Sequence, residues 1–458
     1  MLRPLTARLG GPALLALLSG CASPPPSTDS VDAVSRLTQP HTHQALVATP
    51  PSGDQIAREL REPLDVDAAV RLALQNHRGL QSRLARLGVT EAEVAEAGAL
   101  PNPGFRFSRL TRAGEVELEA SWHLNLARLL SLPLRRQAEA RRLQAEQAQA
   151  AADVLSLVAE VRRAWVRAVA AEEALAYRRQ LLEAAEAGAE LARRMQVAGN
   201  FNALARAREQ AYETEARLAL ARAEALRLAT RERLVRGLGL EDGTLLRLPE
   251  QLPALPPAVR ERPDVEAQAL AQRLDVQAAR LALERTASQL DLARSTRWVS
   301  MLELGSLRKS DSQQPAQRGW EVALELPLFG LGPVPKAEAL AREAAHQAAD
   351  VAIQARSEAR EAYGLYRSAY ALAREHRDAL LPLAQQVSQQ QLLRYNAMLI
   401  GVFELLADVR RQASAVSAAQ DALRDFWLAQ VDLDQALVGR TTPMLPDAPQ
   451  AAAAPASH

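Results

Sequence analysis

The chain has 458 residues, enough for two or three ordinary domains or one long one. Apolar residues make up 48% and aromatic ones only 4%, which argues against a broad core of rings and for long helices packed through small side chains. With 55 basic against 54 acidic residues and a net charge of +1, nothing in the electrostatics calls for a nucleic-acid partner.

The chain opens with Arg3 and Arg8 around an apolar run, Leu9–Leu18, too short to span a bilayer. Leu18-Ser19-Gly20-Cys21 follows, with small residues before the only cysteine. It resembles a bacterial lipobox, so residues 1–20 are expected to be a signal peptide and Cys21 the lipidated N-terminus. An ordinary secretory signal with a stray cysteine is the alternative, and both readings export the protein. With one thiol there are no internal disulfides, and stability must come from packing. Ala22 after the cysteine implies, by the same resemblance, sorting to the outer membrane. Residues 21–54, rich in Pro, Ser and Thr, read as a flexible tether.

A first structural repeat is expected over 55–255. Helical pattern runs from Pro63 to about Ala97 and stops at Pro101 and Pro103. Residues 105–126 change period: Val116, Leu118, Ala120, Trp122 and Leu124 alternate with Glu117, Glu119, Ser121, His123 and Asn125, as in a strand pair. Between Leu134 and Arg236 there is no proline, and Val154, Val158, Val161, Trp165 and Ala168 recur at seam spacing. The pattern breaks only near Gly199, and a proline-studded connector closes the repeat.

A second repeat is expected over 256–439, with a helix from about Pro256, a strand pair at 298–328, and a helical hairpin turning near Met398. Pro263 against Pro63 and Leu326 against Leu126 both differ by 200, and Met398 against Gly199 by 199. Constant offsets of this kind mark an internal duplication. Residues 440–458 read as a disordered tail. Leu134–Val197 as one helix is roughly 95 Å long, about twice the return arm of roughly 50 Å. The lengths close if the helix beginning near Pro256 stacks on the first return arm and the N-terminal helix on the last. Each chain then carries four strands at one end of a bundle. Four strands cannot close in lipid, whereas three chains supply twelve. Glu117, Glu119, Glu321 and Glu325 would line a wet lumen.

The segments "LPNP", "ERPDVEAQ", "ALELPLFG" and "RYNAMLIGVFELLADVRRQ", taken with their order, spacing and the duplication of the chain, resemble the TolC-like outer-membrane efflux proteins, in their lipoprotein branch. The resemblance covers about Leu60–Gly439. It implies a mainly α fold, a helical tunnel continuing a trimeric twelve-stranded β-barrel, in the outer membrane of a Gram-negative bacterium. It further implies a homotrimer docked on a periplasmic adaptor and an inner-membrane pump, a passive duct in a tripartite export system. Gly199, Asn200, Met398 and Gly401 would then form the tip turns and adaptor contact. Glu404 and Asp408 would stand at the gate. Met398 replaces the glycine of the family pattern, and Ala407 occupies a gate position.

Two readings of Glu404 and Asp408 stay open: an acidic ring favouring cations, or complements to the N-terminal dipole of the returning helix. Gly199, Asn200 and Gly401 read as backbone devices for the turns. Trp122, Trp298 and Trp320 read as interfacial anchors, and Trp165 as a seam residue. The seven histidines are scattered apart from His41 and His43, and there is no Walker A, dinucleotide or G-x-S-x-G sequence, so no metal, cofactor or catalytic site is expected. The alternative from another class is a lipid-anchored coiled-coil scaffold of the envelope; two strand pairs with polar alternates give it no use. A periplasmic adaptor would need compact β-rich modules for which the chain has no room.

Overall fold

A computed structural model describes residues 29–46, 52–112, 115–299, 301–311, 315–326 and 332–441. The signal peptide, Cys21 and residues 442–458 lie outside the described residues. In chain order the elements are α1 (Asp29–Thr42), α2 (Gly53–Glu59), α3 (Val66–Asn76), α4 (Arg78–Ala97), β1 (Gly104–Arg112) and β2 (Glu115–Asn125). Then come α5 (Leu126–Leu130), α6 (Leu132–Val197), α7 (Ala203–Leu238), α8 (Val265–Gln272), α9 (Leu274–Ser295), β3 (Met301–Asp311) and β4 (Gln317–Glu325). The chain ends with α10 (Val334–Glu375), α11 (Leu381–Asn396) and α12 (Val402–Val438).

The 66 residues of α6 form one helix about 100 Å long. Its only proline sits in the first turn, where no N–H is needed, and Ala, Leu, Glu, Gln and Arg fill the rest. The seam residues Val154, Val158, Val161, Trp165 and Ala168 are all buried. In the second hairpin Pro382 sits mid-arm. A π turn at His376–Leu380 precedes it and absorbs the missing amide, so the helix continues into α11 without a stop.

The strands form one antiparallel sheet in the order β1-β2-β3-β4. Below it the helices repeat that order. Helix α4 leads into β1, β2 leads towards α6, α9 leads into β3, and β4 leads towards α10. Helix α4 packs on α6, α6 on α9, and α9 on α10. Arg142–Glu93 (2.7 Å), Arg141–Glu284 (3.1 Å) and Arg294–Glu338 (3.2 Å) bridge those three seams in turn.

The two repeats are built alike at their waist. Each first helix breaks once, at His77 and at Arg273, both with extended backbone. Trp165 Nε1 donates to Leu64 O at 2.7 Å, and Tyr366 Oη accepts from Arg260 N at 3.1 Å. In each repeat a ring thus ties the incoming chain to a long helix. Arg273 is 0% exposed, and Asp275 (2.7 Å) and Glu358 (2.8 Å) compensate its charge. A buried guanidinium is tolerable only with such partners.

Three expectations need correction. First, the segment read as a tether is partly ordered: α1 lies against α4 and α6, with Ser30, Val34, Thr38 and Thr42 buried. A stripe of small residues every fourth position packs closely, although its composition looks like a linker. Second, the second repeat's helix begins at Val265, not near Pro256. Pro256, Pro257 and Pro263 disfavour helix in the residues before them. The connector is instead pinned to α10, where Tyr363 Oη accepts from Arg262 N (3.1 Å) and Tyr370 Oη donates to Pro256 O (3.2 Å).

Third, the stacking partners are exchanged. The return arm α7 ends against α3, where Asn76 Nδ2 donates to Leu238 O (3.3 Å) and Gly239 O (2.7 Å). Gly239 has φ +71°, and a Cβ there would lie 2.8 Å from Asn76 O. The last arm α12 ends against α8, where Arg273 donates to Ala436 O at 3.4 Å. Lengths fit either pairing. The capping of orphan carbonyls at the two helix ends decides it. The strand pairs fall at 104–112 with 115–125 and at 301–311 with 317–325, within the expected regions.

Candidate functional site

Two places in the fold depart from what a water-soluble protein would build. The first is the sheet. Its register puts Phe105 opposite Trp122, Trp122 opposite Ser306 and Ser306 opposite Trp320, so these side chains share one face. Phe107, Leu118, Leu124, Leu304, Val322 and Leu324 lie on the same face by the two-residue period. This apolar face is the open one: Phe105 and Trp320 are each 79% exposed. The opposite face carries Glu117, Glu119, Glu303, Glu321 and Glu325, and of these Glu117, Glu119 and Glu303 are partly sheltered. There Lys309 Nζ meets Glu117 at 2.5 Å.

Such a sheet is inside out. Water-exposed apolar area of this extent costs about 25 cal/mol per Å2 unless another apolar phase covers it. Its strands have 9, 11, 11 and 9 residues, the length of tilted strands that span a bilayer. Strands β1 and β4 each have one unpaired edge. Among the described residues no helix is long and apolar enough to cross a membrane. Trp122, Trp298 and Trp320 are all exposed; Trp298, at the helical end of the sheet, carries the Arg297 guanidinium 4.7 Å above its ring.

The second place is the far end of the helices, where two turns meet. After α6, Gly199 N–H bonds Gln196 O (2.9 Å) and Asn200 N–H bonds Met195 O (2.9 Å). After α11, Met398 N–H bonds Tyr395 O (2.9 Å) and Leu399 N–H bonds Arg394 O (2.9 Å). The long bond in each set closes six residues, the mark of a Schellman turn with one left-handed residue. That residue is Gly199 (φ +80°) in one turn and Met398 (φ +59°) in the other. Gly401 has φ −82° and serves as the N-cap of α12, so the position that demands glycine is not the one that has it. Asn202 caps α7, accepting from Ala205 N at 2.7 Å.

Phe201 and Phe403 stack across the two turns at 4.2 Å between centroids. About two helical turns further on, Arg410 bonds the buried carboxylate of Glu209 and lies 3.9 Å over the Tyr212 ring. Around this clamp Val197, Leu204, Met398 and Leu399 stand exposed, Met398 at 93%. Glu404 is exposed on the first turn of α12, whereas Asp408 is 2% exposed and bonded by Arg411 at 3.2 Å. The two carboxylates are therefore not equivalent. Just before the first turn, Glu190 is held at a pKa of about 2 by hydrogen bonds from Arg193 and Arg194. The Phe201–Phe403 stack and the Glu209–Arg410 pair are the residues the sequence did not single out. Their offsets, 403 − 201 = 202 and 410 − 209 = 201, are the signal that marks them.

No family model matches the sequence, and no curated protein does. Solved structures match closely in fold. CusC, described in work on conformational changes accompanying folding and transmembrane channel formation, aligns with a TM-score of 0.70 at 17% identity, over 84% of this chain and 94% of that one. The outer membrane protein VceC of Vibrio cholerae aligns at 0.67 and 17% identity, over 81% and 95%. The open state of the Neisseria gonorrhoeae MtrE outer membrane channel aligns at 0.67 and 19% identity, over 82% and 89%. The chain has the TolC-like fold of these outer-membrane channels, a helical tunnel wall continued by a four-stranded share of a barrel.

Proposed function

We propose that this chain, with the fold of outer-membrane efflux channels as its premise, assembles as a trimer into a passive export duct across the outer membrane and periplasm. One observation carries the reading: the sheet is apolar on its open face, and its two free edges, β1 above α4 and β4 above α10, are aligned with the two free sides of the helical wall. Edges in lipid must be paired, and a neighbour's β1 against β4 pairs strand and helix levels together. Four strands from each of three chains make twelve, within the range of bacterial barrels. The acidic face then lines water and the apolar face meets lipid.

The tip supports a docking role. Val197, Met398 and Leu399 expose apolar surface at the end furthest from the sheet, which suits a periplasmic adaptor bridging to an inner-membrane pump. Glu404, repeated around the axis, forms the acidic ring of the constriction, while Asp408 braces α12 through Arg411. The lipid anchor fits the same geometry. Gln147 Nε2 donates to Ser30 Oγ at 3.0 Å, which fixes the start of α1 about 22 Å down α6 from its first residue. The nine residues from Cys21 to Ser30 reach at most about 30 Å, enough to return to the sheet end.

The test is mass and conductance together. In detergent the assembly should have the mass of three mature chains, each the 49.7 kDa of the full sequence less the cleaved residues 1–20, and in planar bilayers it should give discrete conductance steps. A stable solitary monomer, or a trimer that conducts nothing, would sink the duct.

A further inference from the structure

On the open face of the sheet, positions 105 and 107 of β1, the even positions 118–124 of β2, 302–306 of β3 and 320–324 of β4 carry no charged residue. The charge on that face is confined to Arg109, Arg308 and Arg318. All three sit near the hairpin ends, Arg308 and Arg318 at one level and Arg109 one two-residue step closer to the hairpin turns. Arg109 is three residues before Arg112, where β1 ends, Arg308 three before Asp311, where β3 ends, and Arg318 adjoins Gln317, where β4 begins.

Arg308 and Arg318 are direct cross-strand partners. Like charges placed opposite each other repel, and among the described residues no acidic side chain on that face offsets this pair. The acidic side chains of the hairpins, Glu117, Glu119, Asp311 and Glu321, project from the other face. There the sequence neighbour Lys309 finds Glu117, whereas Arg109, Arg308 and Arg318 are exposed and have no acidic partner among the described residues. Phe107 stands level with Arg308 and Arg318, and one step below along the strands come further rings: Phe105, Trp122 and Trp320. A row of cations above an aromatic band, on a lipid-facing surface, is placed for the head-group layer.

We propose that Arg109, Arg308 and Arg318 form a binding site for phosphate groups of outer-leaflet glycolipid. This rests on the duct reading, which makes the open face lipid-facing and turns the hairpin ends away from the periplasm. Guanidinium is the group suited to phosphate, since it offers two parallel N–H donors and remains charged at the edge of the lipid. A lipid bearing two phosphates on a disaccharide supplies the anions that the protein omits, and its acyl chains lie over Phe105, Trp122 and Trp320.

The experiment uses the full-length assembly in detergent, with bisphosphorylated lipid A, the same lipid with its phosphates removed, and inorganic phosphate as probes. Binding is read by native mass spectrometry and by the shift in Tm. Wild type should bind lipid A at least tenfold more tightly than the R109Q/R308Q/R318Q variant. R308K/R318K should fall between them. The dephosphorylated lipid should bind wild type no better than lipid A binds the variant, and inorganic phosphate at equal concentration should not displace lipid A. Equal binding of lipid A to wild type and variant, or of both lipids to wild type, overturns the site; displacement by inorganic phosphate overturns the lipid assignment. If the variant fails to assemble, the comparison of the two lipids on wild type alone decides. Bilayer conductance separates this from the duct reading: a conducting wild type without phosphate preference defeats only the lipid site.

Discussion

The two turns at the tip have the same backbone and different residues. Gly199 and Met398 both occupy the left-handed region, at φ +80° and +59°, inside the same pair of hydrogen bonds. Glycine adopts that conformation freely, whereas a side chain there costs about 1–2 kcal/mol. The turn that follows is also less well finished in the second hairpin. Asn202 caps α7 with its side chain, and Gly401 has none to offer α12. Duplication has kept the geometry, and the second copy holds it against local preference. What holds it lies between the hairpins, in the Phe201–Phe403 stack and the Glu209–Arg410 pair. The weaker turn is thus secured by the stronger one. Strain maintained in this way, at an exposed apolar tip, is where a docking partner can most readily alter the chain's conformation.

The largest effect expected is the loss of that clamp. Arg410→Ala leaves the Glu209 carboxylate buried without its cation, which should cost about 3 kcal/mol in local opening, with much of the loss recovered by adding Glu209→Gln. Hydrogen exchange over residues 203–212 and 402–412 reads it. Equal protection in wild type and Arg410→Ala would show that the turns stand independently. The turns themselves come next. Gly199→Val should destabilise the first by about 2 kcal/mol, because a β-branched side chain is least tolerated at positive φ. Met398→Gly should stabilise the second by about 1 kcal/mol. Thermal unfolding of both variants checks the asymmetry, and a Met398→Gly variant with lowered Tm would mean that the exposed methionine is engaged with something the single chain does not show.

How much of this was readable beforehand depends on which force sets each feature. The alternation through Val116–Leu124 and the seam through Val154–Ala168 were plain, because a sheet with two unlike faces and a coiled pair each impose a period on the sequence. The reading of a duplication rests on the constant offsets, Pro263 against Pro63 and Leu326 against Leu126. Helix α1 was hidden, since three of its four buried positions, Ser30, Thr38 and Thr42, are small and polar and only Val34 is apolar. The stacking of α7 on α3, and of α12 on α8, was hidden because length arithmetic is symmetric under exchange. It is decided by single side chains, Asn76 and Arg273, that reach helix-end carbonyls. At the tip, the register of Met398 with Gly199 was visible in the numbers. That the methionine carries the left-handed turn was not, because the sequence signal for such a turn is a glycine, and the nearest glycine, Gly401, does another job.

The smallest expected effect concerns protons, and it again divides the two hairpins. Glu190, seven residues before the end of α6, accepts hydrogen bonds from Arg193 and Arg194, at 2.7 Å in each case, and its pKa falls from 4.5 to about 2. A carboxyl whose pKa is lowered by folding contributes stability that is complete above its unfolded value and is lost as pH falls through its folded value. The window is therefore about pH 4.5 down to pH 2. The matching position in the second hairpin, 190 + 199 = 389, is Gln389, and the arginines have become Leu392 and Leu393. That turn has no equivalent proton to take up. Acidification across the window should speed amide exchange at residues 190–198 while leaving 389–397 at its earlier rate relative to the rest of the chain. Because Glu190 and both of its arginines lie at the surface, the difference will be small and will shrink further in salt. If both turns open together as the pH falls, the Glu190 hydrogen bonds are not what distinguishes the two hairpins in acid.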